Sequence, residues 1–176
     1  HRFYDTAIHS RFIAIDLVFV SFFIADVLLG WAVAIAGRRY HRRPGAYAIL
    51  PLDGGLVMTH QSAPEPEIQL PGGGIDPGEA PVAALHREVR EETGWKIAAP
   101  RRIGAWRRFV FMSEYDLWAE KLCTIYLARP VHRLGPPEEA GHRVRVVPMA
   151  DAGHWLSNPV DRAALRRVRA TPGLLG

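Results

Sequence analysis

Three glutamates, Glu88, Glu91 and Glu92, fall within one short segment, Pro81–Thr93, whose apolar positions recur at helical spacing. On a helix they share an arc about 100° wide, where like charges three or four residues apart repel one another. A hard divalent cation reverses that penalty, because magnesium takes oxygen ligands and is commonly held by one or two carboxylates together with phosphate oxygens. The preceding Gly72, Gly73 and Gly74 allow the backbone to approach a ligand where a side chain would clash. Glu79 lies just before the helix and Arg87 within it. The alternative is a solvated acidic face paired with Arg87 and Arg90. The glycine loop, Glu79, the Arg87-Glu88 pair and the closing Gly94 coincide, and that coincidence favours a bound divalent cation over the solvated face.

The elements that must position these groups can be read on either side. Ala46–Leu50 reads as a strand, Asp53-Gly54-Gly55 as a tight turn, and Leu56–Thr59 as the returning strand. Ile68–Leu70 is a short extended piece leading into a glycine-rich loop, Pro71–Gly74. Pro81 suits the first helical turn and Gly94 a left-handed cap. Val82, Leu85 and Val89 form the helix face expected to pack on a sheet. Ile103–Phe111 and Lys121–Arg129 read as strands joined by a loop over Met112–Trp118. Pro136–Gly141 is a further loop, Val144–Val147 a short strand, and Asp161–Arg169 a closing helix with Asp161 as its N-cap. The sum is a mixed α/β domain.

The stretch Gly73–Trp95, GGIDPGEAPVAALHREVREETGW, resembles the Nudix box of the Nudix hydrolase (MutT-like) family. Gly73, Glu79, Arg87, Glu88, Val89, Glu91, Glu92, Gly94 and Trp95 occupy its fixed positions, with Trp95 standing where an aliphatic residue is commoner. The resemblance extends over roughly residues 43–169. It implies an αβα sandwich with a mixed central sheet and a loop–helix–loop that binds Mg²⁺ or Mn²⁺ and the diphosphate of a nucleotide-like small molecule. Glu88, Glu91 and Glu92 would then be metal ligands, aided by the carbonyl of Gly73 or its neighbour. Glu88, Glu91, Glu92 and Arg87 would form the catalytic set, while Glu79, Gly74 and Gly94 shape the loop and Arg87 pairs with a box carboxylate. The implied reaction is attack of water on phosphorus, cleaving the diphosphate linkage of a nucleoside diphosphate derivative. The proton acceptor stays open between Glu88 and the loop carboxylates Glu114, Glu120, Glu138 and Glu139.

Substrate contacts lie outside the box. Trp106 and Tyr115 can stack on a base, and Arg107 and Arg108 can hold phosphate oxygens. Alternation along this strand offers a competing role for the aromatics, packing in the core. The glycine run does not make G-x-G-x-x-G, because Pro77 takes the last position, and there is no P-loop Gly-Lys-Ser/Thr. His142 and His154 read as surface or loop residues. Cys123, the single cysteine, sits in an apolar stretch as a small buried hydrophobe and excludes an intramolecular disulfide framework, which favours a reducing, cytoplasmic setting.

The 176 residues allow one domain with a core, and the net charge of +4 suits an anionic substrate. Residues 1–42 differ from the 43–176 hydrolase domain. Phe12 to Gly37 is almost continuously apolar, and Arg38, Arg39, Arg42 and Arg43 follow it. Such a run can span a bilayer, but Asp16 and Asp26 would each cost roughly 3 kcal/mol near its centre. A packing or homodimer-forming arm is therefore preferred to membrane association. Two rival classes are weighed: a non-catalytic Nudix-like nucleotide-binding or regulatory domain, which is expected to have lost box carboxylates, and nucleic-acid binding through Arg162, Arg166, Arg167 and Arg169, which are better read as a solvated helix face. No nucleic-acid partner is expected.

Overall fold

The computed structural model describes residues 39–62, 66–139 and 141–174. Tyr40–Gly176 is a compact unit, and residues 1–38 of the expected apolar arm lie outside the described residues.

The central sheet is mixed, as expected. It is built from β1 (His41–Ile49), β5 (Gly72–Gly74), β6 (Trp95–Met112) and β7 (Leu117–Arg133) in the order β5-β1-β7-β6. β1 runs parallel to β7 and antiparallel to β5, and β6 is antiparallel to β7. The second sheet centres on β3 (Gly55–Gln61). It pairs with β8 (His142–Pro148) on one side and with the short β2 (Pro51–Leu52) and β4 (Glu67–Gln69) on the other.

β1 shows why its sequence is apolar without alternation. Ala46 and Ala48 face a core shared with Ala84, Leu85 and Val89 of α1 (Pro81–Thr93). Tyr47 and Ile49 face the opposite core, with Ala164, Leu165 and Val168 of α3 (Pro159–Ala170). Both faces of the strand are covered, the pattern of a central strand between helical layers. A short helix, α2 (Ala152–Trp155), precedes α3. The turn between β2 and β3 carries Asp53 and Gly54 at φ 48° and 76°, the paired left-handed conformations that suit a two-residue hairpin.

Several local expectations need correction. Pro71–Gly74 is not wholly a loop, because Gly72–Gly74 pairs with Gly45–Tyr47. The two long strands reach further than Ile103–Phe111 and Lys121–Arg129. Their connection shrinks to a single helical turn, Ser113–Tyr115, with Asp116 at φ 48°. Strand pairing across the hairpin overrides the weak turn signals inside it. Val82 remains 41% exposed in the first turn of α1, and Ala84 takes its place in the core. Asp161 is not the N-cap of α3. Asn158 is, accepting the N–H of Val160 at 2.9 Å, and the helix begins at Pro159. Pro159 at the first helical position needs no N–H partner, so the helix starts two residues, and its cap lies three residues, earlier than expected.

Candidate active site at the glycine strand and helix α1

α1 begins with Pro81 and ends at Gly94, whose φ of 73° lets its N–H reach the Arg90 carbonyl at 2.8 Å. A Cβ at Gly94 would run into the Gly135 carbonyl, so glycine is required there by conformation and by contact. The cap also anchors the loop after β7. Leu134 N–H bonds to Gly94 O at 2.8 Å, and the N–H groups of Glu138 and Glu139 bond to Glu91 O at 2.7 and 3.1 Å. The helix terminus thereby carries a downstream acidic loop beside its own carboxylates.

Arg87 is the centre of an ionic knot. Its Nε and Nη2 donate to the two oxygens of Glu79 at 3.0 and 2.8 Å, and Nη2 also reaches Gly74 O at 3.0 Å. Its Nη1 donates to Glu88 at 2.7 Å and to Glu91 at 3.3 Å. Glu79 in turn accepts the Asp76 N–H at 3.1 Å, which closes the loop onto the helix. The bonds from Arg87 hold the Glu79 carboxyl below its ordinary range, and Glu79 raises the already high pKa of the guanidinium.

The three box carboxylates share a helix arc but not an environment. Glu92 is buried, and its Oε2 accepts Gly72 N–H at 3.0 Å and the Thr59 hydroxyl at 3.3 Å. Burial first, then the neighbouring Glu88 and Glu139, push its carboxyl up to about 8 against the opposing pull of the Gly72 bond. Glu88 is raised by burial, with Arg87 opposing, and its carboxylate lies flat against Gly73. A Cβ on Gly73 would stand 2.6 Å from the Glu88 carboxyl carbon. Glu91 turns outward between Arg87 and Arg90.

Strand pairing decides which carbonyl faces these acids. Ala48 N–H to Pro71 O at 2.8 Å and Ile75 N–H to Pro44 O at 3.0 Å bracket the Ala46–Gly73 pair. That register turns Gly73 toward β1 and leaves the polar groups of Gly72 on the open edge of the sheet. The N–H of Gly72 accordingly meets Glu92. The neighbour of Gly73 therefore offers its carbonyl outward, whereas Gly73 itself supplies a flat surface under Glu88.

A cleft of about 430 Å³ opens over this edge, lined by Gly72, Gly73, Gly74, Glu88 and Glu92 together with Arg108, Lys121, Gln61 and Gln69. Glu139 also lines it, and among the candidate proton acceptors whose side chains are described, those that face it are Glu88 and Glu139. Glu91, Glu138 and Arg87 line an adjoining recess that shares Glu88 and Glu139 with the cleft. Glu120 pairs with Arg107 at 2.9 Å.

Of the expected substrate contacts, Arg108 alone lines the cleft, where it stands 3.6 Å from Glu67. Trp106 packs against the core, Arg107 points to the opposite sheet face, and Tyr115 lies exposed beneath the Arg43 guanidinium. Alternation along β6 separates 106 and 108 from 107, and core packing then takes Trp106.

His142 corrects the surface reading. Its side chain is 7% exposed, with Nε2 3.3 Å from Glu92 Oε1 and Nδ1 3.4 Å from Glu139 Oε2. One ligand atom from each of Glu92, Glu139 and His142 lies within 4.8 Å of the others. The sequence signal was the acid three residues before a histidine at a strand start, which acquires meaning only once the loop is pinned to Glu91.

The donor set fits a hard divalent cation. Carboxylates and a backbone carbonyl converge, and the upward displacement of Glu88 and Glu92 is the electrostatic cost that a cation would relieve. Gly72 through its carbonyl, with Glu88 and Glu92, could hold it.

The NUDIX domain family profile matches residues 40–168. An RNA pyrophosphohydrolase of Halorhodospira halophila (strain DSM 244 / SL1) is 40% identical over 68 residues, which is 39% of this chain and 38% of that protein. A Bacillus subtilis (strain 168) protein with the provisional name 8-oxo-dGTP diphosphatase is 35% identical over 74 residues, 42% of this chain and 50% of that protein. The match thus spans half or less of either relative. In fold, the chain resembles a NUDIX hydrolase from Nitrosomonas europaea (TM-score 0.61, 16% identity, 74% of this chain and 90% of that one). It also resembles a MutT NUDIX hydrolase from Burkholderia pseudomallei (TM-score 0.58, 21% identity, 73% and 98%). With its profile match running through the glycine strand, the Arg87 knot and the carboxylate helix, this chain belongs to the NUDIX domain family.

Proposed function

We propose that the chain is a metal-dependent pyrophosphohydrolase that cleaves the diphosphate linkage of a small nucleoside diphosphate derivative. The observation that carries this reading is the packing of the Glu88 carboxylate on Gly73 beside the buried Glu92, both lining a cleft that Arg108 also lines. Glu88, Glu92 and the outward carbonyl of Gly72 hold Mg²⁺ or Mn²⁺, and Glu91 completes the acidic lining from the adjoining recess. When bound, the cation stabilises charge that develops on the phosphoryl oxygens. Arg87 fixes Glu88 and the loop carbonyls in register, so little reorganisation is needed as substrate arrives. Arg108, which lines the same cleft, binds the substrate's anionic portion. The proton of the attacking water passes to Glu88 or Glu139. The box carboxylates are all present, which supports this reading over a binding domain without catalysis.

Release of phosphate or nucleotide from a panel of nucleoside diphosphate derivatives, with Mg²⁺, Mn²⁺ or EDTA, tests the proposal. Metal-dependent turnover that disappears in Glu88→Gln and Glu92→Gln is expected. A folded wild-type chain that turns over nothing on a broad panel would instead favour the binding-domain reading.

A further inference from the structure

His142 is a buried imidazole with neither ring nitrogen in a hydrogen bond, even though a carboxylate oxygen stands close to each. Buried polar atoms are ordinarily satisfied, and an orphaned pair on one ring calls for a missing partner. The ring lines the same cleft as Glu88 and Glu92. Its position is determined by the fold: His142 opens β8 opposite Gln61, and the Glu139 N–H anchors the preceding loop to the end of α1.

The spacing identifies the partner. Nε2 and Glu92 Oε1 are 3.3 Å apart, close to the separation of about 3.0 Å between adjacent donors of an octahedral ion bound at about 2.1 Å. Glu92 Oε2 is already engaged by Gly72 and Thr59, which leaves Oε1 as its free donor. On the far side of the ring, Glu139 Oε2 lies 3.4 Å from Nδ1. A carboxylate beside the second nitrogen is the arrangement that fixes the tautomer and orientation of metal-ligating histidines.

We propose that His142 Nε2 and Glu92 Oε1 jointly ligate a divalent transition-metal ion, with Glu139 orienting the imidazole. The inference deepens the hydrolase reading, since it shares Glu92 with it. A nitrogen donor separates this site from an all-oxygen magnesium site: imidazole favours Co²⁺ and Ni²⁺ and tolerates Mn²⁺, whereas Mg²⁺ gains little from it. The chain should then discriminate among divalent ions through one residue that lies outside the helix carrying the other ligands.

The test is electron spin-echo spectroscopy of the full chain loaded with Mn²⁺, combined with calorimetric titration of Ni²⁺ and Mg²⁺ into wild type and His142→Gln. The expected result is nitrogen modulation from one bound imidazole in the wild type and none in the variant. Ni²⁺ affinity is expected to fall about tenfold or more in the variant, and Mg²⁺ affinity to hold within about threefold. Wild-type protein with bound Mn²⁺ and no nitrogen modulation overturns the proposal, whether or not the variant folds. Unchanged Ni²⁺ affinity in a folded variant does so as well. If Mg²⁺-dependent turnover persists in either case, the hydrolase reading stands alone. Nitrogen modulation in a chain without turnover would support the ion site and remove the hydrolase reading.

Discussion

Glu92 accepts the backbone N–H of Gly72 at 3.0 Å, so the last carboxylate of α1 is tied to the open edge of the central sheet. The same contact leaves its other oxygen facing His142. A buried acid that anchors a strand with one oxygen and offers the other to the cleft couples the fold of the glycine segment to the proposed chemistry.

Gly73→Ala separates these two roles. Gly73 lacks the left-handed backbone that would forbid alanine, yet the added methyl would occupy the place of the Glu88 carboxylate. Metal-dependent turnover is expected to fall by roughly 10- to 100-fold, with the circular dichroism spectrum unchanged. Turnover equal to wild type would show that Glu88 does not need its seat on the glycine.

Arg87→Lys retains the charge and loses the fork that binds Glu79, Glu88, Glu91 and Gly74 together. We expect kcat to drop on the order of tenfold or more. The partly exposed knot should contribute only about 1 kcal/mol to stability. Steady-state kinetics alongside urea unfolding would check this, and a variant with normal kcat and a large loss of stability would reverse the assignment.

Asp161 gives a pH signature far from the box. It is buried, accepts Leu70 N–H at 3.1 Å, and burial pushes its carboxyl up to about 7. A carboxyl that binds its proton more tightly in the folded state stabilises the fold most below its unfolded value, about 3.9. That contribution declines as pH rises and is lost as pH passes through 7. Asp161→Asn keeps an acceptor for Leu70 without the buried charge. At pH 8 the variant is expected to be more stable than wild type by on the order of 2 kcal/mol, and at pH 4 the two should nearly coincide. Parallel stability–pH curves for the two proteins would sink the idea.

Asn158→Ala removes the side-chain cap of α3. Stability should fall by about 1 kcal/mol, with kcat and metal affinity unchanged, because Asn158 does not line the cleft and accepts its hydrogen bonds from Val160 and Arg162 of α3. A matched loss of activity in the folded variant, measured well below its melting temperature, would mean that α3 positions the cleft more directly than the geometry indicates.

The amino-acid sequence by itself determined the family resemblance, the helix Pro81–Thr93, its glycine cap and the identity of its carboxylates, because these depend on spacing within a few turns of chain. It also made the strand Ala46–Leu50 legible, but not its partners: the expected return strand Leu56–Thr59 pairs with Pro51–Leu52 in the second sheet, whereas Ala46–Ile49 pairs with β5 and β7. Tertiary structure alone decided what each carboxylate became. Three acids on one arc separate into a buried Glu92, a half-buried Glu88 and an outward Glu91, because strand edge, glycine surface and Arg87 meet them at different depths. The same holds for the shift of the cap to Asn158, for Arg108 rather than Arg107 in the cleft, and for His142 beside Glu92. Local periodicity fixes which residues share a face, but burial and pairing depend on partners tens of residues away, and those partners are supplied only by the packed sheets.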